Sequence, residues 1–559
     1  MSRVLVSLAV FLAATTAAMV SPPMATATTE NGGNFVSTSY TRLMDTNAVG
    51  EAPLGSQETR TFQVLGKAGI PSTGVGAVVI DIAATSATAS DGYLTAWKAG
   101  TPRPSWASIR FGEGSVPRSN TVVVAPSAAG QISVFNGTGT TDFNIDVQGY
   151  FTDGSDGLSP GGFLPIEPAQ VLGTGVAIGA PLGQLKPGAS LDVQVTGVGS
   201  IPDSVGAVFA NVMVSYPDSD GYLKIFPPSD PTPSRPILNY SVGGQESSGF
   251  TIPVSSDGKI RVLNSPYGTD VHVRIDVQGY FSESLGDGGG YTPLTSSNLF
   301  DSTPGSPLQP GESRNIVAGG RLGIPENAAA AVLLTVIAKN YTGDGHVAVD
   351  GAGYGDPHPT GVNVAFHPRE AGLPNASTSA VRVGYLDEIT IHNASNGTVD
   401  VLLNTQGWFS YPPSQEEDPA DLGAPDADEG TAGLGTITSS GEQTYSAYDP
   451  SPAGCWGQSN NPHKSKTMPG YTKGYAKSYC QFPVVSLGVK ATVWRKRWWG
   501  WQQKGEAGTG TDNNIRVIGR SGRWKGCDTN LWRTVGNHWS LEVSGKYSVE
   551  TINKADINC

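Results

Sequence analysis

The residues with the clearest capacity for chemistry lie close together near the end of the chain. They read Trp494-Arg495-Lys496-Arg497-Trp498-Trp499-Gly500-Trp501. On a strand, side chains alternate, which would place Trp494, Lys496 and Trp498 on one face and Arg495, Arg497, Trp499 and Trp501 on the other. Both faces cannot be core while they hold three cations, so one should be an exposed aromatic and cationic surface. Such surfaces stack on sugar rings or bases and attract anions.

This segment is the predicted binding site, and its members are Trp494, Arg495, Lys496, Arg497, Trp498, Trp499 and Trp501. The alternative is that the tryptophans fill the core of a small domain while the cations keep it soluble. Eight of the 11 tryptophans lie after residue 440. Among them, Trp524, Trp532 and Trp539 are interpreted as core residues.

A catalytic site is the rival hypothesis for the same region. The sequence contains no His-Glu-x-x-His motif and no Walker loop. After residue 440 the only histidines are His463 and His538, which together with Lys464 or Arg533 would resemble a metal-free ribonuclease or toxin site. A turn-capping role for His463 is the simpler interpretation. No catalytic residue and no cofactor is therefore predicted, and the two histidines are kept as the alternative.

All four cysteines also lie in this last part of the chain, at Cys455, Cys480, Cys527 and Cys559. In a small exported domain, four cysteines indicate two disulfides with three possible connectivities. We favour Cys455–Cys480 and Cys527–Cys559, because neighbours in sequence close the shorter loops. No Cys-x-x-Cys spacing is present, so a metal site is not predicted.

Three copies of one pattern occupy the chain before residue 412. Each copy closes on a similar run: Ile145–Phe151 (IDVQGYF), Ile275–Phe281 (IDVQGYF) and Leu403–Phe409 (LNTQGWF). In each copy an Ile-Pro pair precedes an apolar run, and the pairs begin at Ile70, Ile201 and Ile324. Short Val- and Ile-rich runs separated by Asp-Gly and Asn-Gly pairs are typical of antiparallel strands with tight turns.

The spacing of the copies indicates domains, because a unit of this length can bury its own core. The sequence therefore predicts an all-β protein. It would contain three tandem antiparallel β-sandwich or barrel-like domains, at 35–153, 162–283 and 291–411. A smaller disulfide-stapled β-sandwich, rich in tryptophan and basic residues, would follow at 441–559.

The closing run of each copy has a mechanical interpretation. Ile145 and Val147 alternate with polar residues, which predicts a half-buried last strand. Gly149 permits a bend or bulge, and the Tyr-Phe pair that follows should cap the end of the core. The aspartate of this run, Asp146, is interpreted as structural. Because the third copy has Asn404 at this position, the repeats are interpreted as a spacer that tolerates change.

These repeats resemble a family of secreted actinobacterial β-rich repeat proteins. The family carries Arg-x-Leu-Asp-Thr, Gly-(Val/Ile)-Pro and Asp-Val-x-Gly-Tyr-Phe in that order. The first copy resembles it closely, through the run from Arg42 to Thr46 (RLMDT), whereas the second has Val171–Thr174 (VLGT) and the third Leu299–Ser302 (LFDS). The resemblance covers roughly residues 35–411 and implies a scaffold or adhesive role without any catalytic residue.

The last domain has a resemblance of its own. Cys455 followed by Asn461-Pro462-His463-Lys464-Ser465 is similar to the opening of small secreted actinobacterial domains. This likeness implies export and a β fold rather than an activity.

The ends of the domains carry processing and linker signals. Arg3, the apolar run from Val4 to Val20 and the Ala-Thr-Ala at 25–27 predict a signal peptide over residues 1–27. No second apolar run of spanning length follows, so no membrane association is expected after cleavage. The acidic, Pro- and Ala-rich stretch 412–440 should be a solvated linker.

Charge divides the chain at this linker and indicates the class of ligand. Residues 441–559 hold 16 Lys and Arg against 8 Asp and Glu, whereas the whole chain has a formal net charge of -13. The acidic repeats are not expected to bind nucleic acid. The sequence thus predicts a secreted, non-enzymatic binding protein. Its repeats act as a spacer, and its last domain binds a cell-wall polymer or another acidic glycan. A delivered toxin and a structural subunit that assembles with other secreted proteins are the alternatives.

Overall fold

The computed structural model describes residues 32–411 and, further along the chain, 445–447, 455–459, 462–464 and 471–557. Within these ranges it leaves out 115–116, 156–158, 234, 287, 304, 327, 353–358, 369–373, 385–386, 499, 527–528 and 543–544. The predicted signal peptide (1–27), the predicted linker (412–440), Cys527 and Cys559 lie outside the described residues.

The first copy of the repeat consists of eight strands: β1 (Phe35–Asp45), β2 (Thr59–Gln63), β3 (Val75–Ala87), β4 (Gly92–Lys98), β5 (Ile109–Phe111), β6 (Arg118–Val124), β7 (Gln131–Asn136) and β8 (Thr141–Thr152). The second copy has the same number: β9 (Phe163–Gly173), β10 (Ser190–Gln194), β11 (Ala207–Ser215), β12 (Gly221–Phe226), β13 (Leu238–Tyr240), β14 (Gln245–Pro253), β15 (Lys259–Asn264) and β16 (His272–Phe281).

The third copy splits the first strand in two: β17 (Tyr291–Pro293), β18 (Asn298–Asp301), β19 (Ser313–Val317), β20 (Ala329–Lys339), β21 (Gly345–Gly351), β22 (Val364–Phe366), β23 (Asn375–Arg382), β24 (Glu388–Ser395) and β25 (Asp400–Ser410). The C-terminal region contributes β26 (Tyr445–Ala447), β27 (Trp456–Ser459), β28 (His463–Lys464), β29 (Tyr471–Arg497), β30 (Gly500–Lys525), β31 (Asn530–Glu542) and β32 (Gly545–Ile557).

Each repeat is a sandwich of two antiparallel sheets. In the first repeat the strand orders are β1-β8-β3-β6 and β2-β7-β4-β5, and the other two repeats reproduce both orders. Eight strands in this double-sheet order form a jelly roll. The predicted all-β class is confirmed. Each repeat has its own core between its sheets, where Ile145 and Val147 of the closing run are fully buried.

Each closing strand carries a β-bulge at the glutamine of its closing run. Against the neighbouring strand of the same sheet, the register jumps by one residue at Gln148, and it does so again at Gln278 and Gln406. A bulge inserts one unpaired residue and re-aims its side chain. The bulge anticipated from the adjacent glycine is therefore present, and it serves to point a glutamine away from its own sandwich.

The three glutamines link the repeats into a closed ring. Each accepts, through Oε1, a backbone N–H of the next repeat: Gln148 from Thr251 (3.0 Å), Gln278 from Ala380 (2.9 Å) and Gln406 from Val123 (2.8 Å). The last of these bonds returns to the first repeat. The copies are thus joined around a pseudo-threefold axis, an arrangement that tandem repetition alone does not predict.

An aromatic cluster fills the centre of this ring. Each aromatic residue at the start of one repeat contacts the closing phenylalanine of another: Phe35 with Phe281 (4.5 Å between ring centroids), Phe163 with Phe409 (4.2 Å) and Tyr291 with Phe151 (4.3 Å). We call these six residues the central aromatic cluster. All six are buried. The prediction that the closing phenylalanines cap the core of their own repeat is therefore wrong, because they build a core that the three repeats share.

The glycine of each closing run makes room for this cluster. A Cβ atom added at Gly279 would lie 2.2 Å from the ring of Phe163, and one at Gly407 would lie 2.3 Å from the ring of Tyr291. These distances are shorter than any van der Waals contact, so the glycine allows the ring to lie flat against the strand.

The aspartate of the closing run accepts hydrogen bonds from a side chain on the neighbouring strand, and in the third repeat, where asparagine replaces the aspartate, the partner residue is different too. Asp146 lies opposite Arg42 in the register and accepts two hydrogen bonds from that guanidinium (2.6 and 3.1 Å). In the third repeat, Asn404 accepts instead from Asn298 (3.1 Å), which lies opposite it. The substitution at Asn404 is therefore matched by its partner.

The C-terminal strands form one seven-stranded antiparallel sheet. Strand β29 pairs with β30 along one edge and with β27, β28 and β31 along the other. The register between β29 and β30 jumps between Tyr479 and Val484, and Ser478 Oγ donates to the carbonyl of Gly488 (2.8 Å) on the same strand. Strand β29 therefore bends back on itself at this bulge. The predicted disulfide Cys455–Cys480 is present beside the bend and is confirmed.

Candidate binding site on the C-terminal hairpin

The predicted binding segment is the tip of a β-hairpin rather than one continuous strand. Strand β29 ends at Arg497, and β30 begins at Gly500. In the antiparallel register Lys496 lies opposite Trp501. Because opposed residues share a face, Trp501 lies with Trp494 and Lys496. The alternation expected from a single strand had placed Trp501 on the other face, and it fails because the chain reverses direction between Arg497 and Gly500.

A fourth residue joins this face from the neighbouring strand. Arg533 of β31 lies opposite Trp494. Its guanidinium carbon is 4.9 Å from the ring centroid of Trp494 and 4.7 Å from that of Trp501. The Lys496 ammonium is 5.2 Å from the Trp501 centroid. We call Trp494, Lys496, Trp501 and Arg533 the cation–aromatic face. Each such contact contributes about 0.5–2 kcal/mol, more when desolvated.

The electrostatics of this face favour an anion. Burial lowers the pKa of Arg533, and the charge of Glu550 offsets this only in part. Among the residues that the structure describes, Nε of Arg533 is buried without a hydrogen-bond partner. A guanidinium that has lost part of its hydration gains more from an approaching anion than a fully hydrated one. The ring of Trp494 is held in place because its Nε1 donates to Thr492 Oγ1 (2.9 Å).

The opposite face of the same hairpin faces the core. Trp532 is fully buried against Val493, and the ring of Trp524 lies 5.2 Å from it. The interpretation that tryptophans fill the core thus holds for Trp532, whereas Trp494 and Trp501 keep part of their surface accessible.

The remaining predicted binding residues lie around the tip. Arg497 Nε donates to Gln502 Oε1 (3.1 Å), which fixes that guanidinium across the hairpin. Trp498, in the turn, is 96% exposed. Arg495 lies opposite Trp532 and Gln502, on the face away from Trp501. Trp499 lies outside the described residues.

No family model matches this chain, and no curated protein matches it. The assignment of this site therefore rests on its geometry.

Sequence reasoning did not include Arg533 among the binding residues, although a signal was present. The chain contains two Trp-Arg pairs, Trp494-Arg495 and Trp532-Arg533. In the antiparallel register each tryptophan lies opposite the arginine of the other pair. Such a repeated dipeptide on paired strands places one tryptophan and one arginine side by side on each face. The pairing of β29 with β31 was needed to see it.

Of the two candidate catalytic histidines, only His538 has a side chain that the structure describes. His538 is buried, its Nδ1 lies 2.9 Å from Ser478 Oγ, and burial lowers its pKa to about 4. Since Ser478 donates its proton to Gly488, His538 is the donor to Ser478 and stays neutral at physiological pH. These contacts describe a histidine that fills the core. The side chain of His463 lies outside the described part of the chain, so the pair remains a prediction.

One further pocket lies where the three repeats meet. It measures about 360 Å³ including open solvent, and equivalent positions of the three repeats line it, namely Arg118, Glu246 and Asn375. Arg118 and Glu246 form an ion pair in its wall. In the described ranges, no group of three His, Cys, Asp or Glu side chains is placed to hold a metal ion. No helix in those ranges is both long and apolar enough to cross a membrane.

Proposed function

We propose that this chain is a secreted, non-enzymatic binding protein whose C-terminal hairpin binds an anionic polymer, namely a cell-wall polymer or another acidic glycan. The observation that carries the proposal is the position of Arg533 between Trp494 and Trp501. Flat indole rings stack on the apolar face of a sugar, and the cations beside them attract phosphate or carboxylate groups. The ring of three repeats would act as the rigid carrier of this site.

The test is a pull-down of the full mature chain with purified cell walls over a series of salt concentrations. We expect binding at low salt that weakens as salt rises, because screening reduces the attraction between the exposed cations and the polymer. Trp501→Ala should reduce the affinity about tenfold or more, since stacking on one aromatic ring contributes about 1–3 kcal/mol. Arg533→Ala should reduce both the affinity and the salt dependence.

Lys546→Ala is the matched control. Lys546 is exposed and lies opposite Leu541, eight residues along β31 from Arg533, so its removal changes the net charge equally without touching the cation–aromatic face. Absence of binding to walls, teichoic acid and acidic glycan at low salt would contradict the proposal. So would equal loss of affinity in Arg533→Ala and Lys546→Ala, because binding would then depend on net charge alone.

The toxin alternative has its own measurement. Expression of the last domain in a cytoplasm should degrade RNA or kill the cell if His463 and His538 form a catalytic pair. Intact RNA and full viability would remove that alternative.

A further inference from the structure

The outer face of the C-terminal sheet continues past the cation–aromatic face toward the other end of β31. Thr534 and His538 of this strand are buried in the core. Arg533, Asn537 and Trp539 alternate with them and keep part of their surface accessible. Trp539, interpreted from the sequence as a core residue, therefore lies on the same face as Arg533. The two are six residues apart on β31, which at about 3.3 Å per residue separates them by about 20 Å.

Trp539 presents a flat ring on this face. It lies opposite Gly488 of β29, and a Cβ atom added there would lie 2.0 Å from its ring. Because glycine has no side chain to lift it, the indole rests on the backbone and turns its other side outward. The ring of Trp494 is fixed by its Nε1, which donates back along β29 to Thr492 Oγ1 (2.9 Å). The outer face thus carries an indole platform near each end.

Polar groups line the surface between the two platforms. Lys490 is exposed and lies opposite Asn537 in the register. Asn537 Nδ2 donates to Glu550 Oε2 on β32 (2.9 Å), which fixes the amide. Thr509 of β30 lies opposite Lys490 on its other side and is exposed as well. A hydroxyl, an amide and an ammonium group are thus placed to hydrogen-bond a chain that runs from one platform to the other.

The spacing of the platforms selects among anionic polymers. A single sugar or a chain end covers one platform only, whereas an extended chain that lies along β31 covers both. Stacking also requires a ring, because an indole gains contact area from the flat apolar face of a sugar, and an open-chain polyol phosphate has no such face. Lys490 and Arg533 attract the charged groups of the chain. The arrangement therefore favours a linear acidic polysaccharide over a chain of polyol phosphates.

We propose that the outer face of the C-terminal sheet binds an extended segment of a linear acidic polysaccharide, with sugar rings stacked on Trp539 as well as on Trp494 and Trp501. This inference rests on the proposed function and deepens it, since it adds Trp539 and Lys490 to the site and names the class of polymer. Once one platform is occupied, contact with the second is intramolecular, so the affinity should rise with the length of the chain.

The experiment is calorimetric titration of the full mature chain with size-fractionated oligomers of polygalacturonate, a linear chain of acidic sugar rings. We expect weak binding of short oligomers and a gain in affinity of about tenfold or more once the oligomer spans about 20 Å, which corresponds to stacking on one additional ring. Trp539→Ala should abolish this gain and leave the affinity for short oligomers unchanged. Trp501→Ala should weaken the binding of short and long oligomers alike.

Two variants and one further polymer serve as controls. Trp539→Phe keeps a ring over Gly488 and should restore part of the gain with chain length. Tyr267→Ala removes an aromatic residue of the second repeat that is 85% exposed, and it should bind every oligomer like the wild type. Poly(glycerol phosphate) of matched charge should bind more weakly than long polygalacturonate, and equally to Trp539→Ala and the wild type. Thermal unfolding shows that each variant is folded.

Three results would overturn the proposal while leaving the proposed function intact. One is an affinity that does not change with oligomer length, and another is an equal gain with length in Trp539→Ala and the wild type. The third is binding of poly(glycerol phosphate) as tight as that of long polygalacturonate, because sugar rings would then contribute nothing.

A wild type that binds cell walls but no polygalacturonate of any length would likewise overturn this proposal alone. A wild type that binds neither cell walls nor these polymers would contradict the proposed function as well.

Discussion

Glycine and aromatic residues lie close together at strand ends in both the ring of repeats and the C-terminal hairpin, but the two regions use the aromatic residues in opposite ways. In the ring, the glycine of each closing run lets an aromatic ring lie against the strand, and six rings from three repeats exclude water from one centre. In the hairpin, Gly500 belongs to a turn that leaves Trp498 in solvent. The difference lies in what faces the strand end. Neighbouring repeats cover the first kind of end, whereas no part of the chain that the structure describes covers Trp498 at the second.

The comparison indicates that the ring is a single stability unit. Each repeat has its own core, but the central aromatic cluster and the glutamine hydrogen bonds involve all three. A substitution in the central aromatic cluster should therefore lower the stability of every repeat. A substitution at the hairpin tip should affect ligand binding alone.

The largest effect is expected from Phe409→Ala in the central aromatic cluster. Removing a fully buried phenylalanine should lower the free energy of unfolding by about 3–5 kcal/mol, because it leaves a cavity among closely packed rings. Calorimetry should show the loss in the transition of all three repeats together. Trp498→Ala should change the stability by less than about 0.5 kcal/mol, since its side chain is exposed. A loss restricted to the third repeat would show that the repeats fold independently.

The next effect is expected from Gln406→Ala. This side chain accepts from the N–H of Val123 and donates to the hydroxyls of Thr335 and Thr378. Leaving these buried groups unpaired should cost about 1–3 kcal/mol in chemical denaturation. Gln278→Ala should cost less. Gly249 stands where the third repeat has Thr378, and Nε2 of Gln278 has no hydrogen-bond partner among the described residues. Gln503→Ala, at an exposed hairpin position, should have no effect. Equal losses of stability in Gln406→Ala, Gln278→Ala and Gln503→Ala would contradict the role given to the glutamine hydrogen bonds between repeats.

A pH-dependent effect is expected from Asp81→Asn in the first repeat. Burial, assisted by the charge of Asp146, raises the pKa of Asp81 to about 8. Since the pKa in the unfolded chain is about 3.9, the folded state holds this proton between about pH 4 and 8. Stability therefore falls as pH rises through this range, by up to about 1.4 kcal/mol per pH unit.

Asp81→Asn removes this dependence. Asparagine already occupies the equivalent position of the second repeat, Asn211. Melting temperatures measured from pH 5 to 9 should be higher for the variant at the alkaline end and should change less with pH. A variant that is less stable than the wild type at pH 8 would show that Asp81 is ionised in the folded state and stabilises it.

Local patterns account for much of the fold. Alternation of apolar residues in Ile145 and Val147, together with the Asp-Gly turns, identifies short antiparallel strands, because strand periodicity and turn chemistry act over a few residues. The disulfide Cys455–Cys480 follows from the short loop that it closes. The closing run also contains the bulge, in the Gln-Gly pair. The closing run does not show what the bulge does, because the hydrogen-bond partner of Gln148 lies 103 residues away in the next repeat.

The hairpin shows the same limit at a smaller scale. Composition and spacing identify the segment from Trp494 to Trp501 as the place where cations meet indoles. Which of them share a face depends on where the chain turns, and the turn falls within the segment itself. Arg533 enters only through the register between β29 and β31.

By itself, the sequence determines the all-β class, the threefold repetition, the disulfide beside the bend and the region where charge and tryptophan concentrate. These properties depend on local backbone preference and composition. Tertiary structure decides that the repeats close into a ring, that Phe151, Phe281 and Phe409 leave their own cores for a common one, and that Arg533 stands between two indoles. Such features depend on contacts between residues far apart in the chain, whose pairing is set by register and packing.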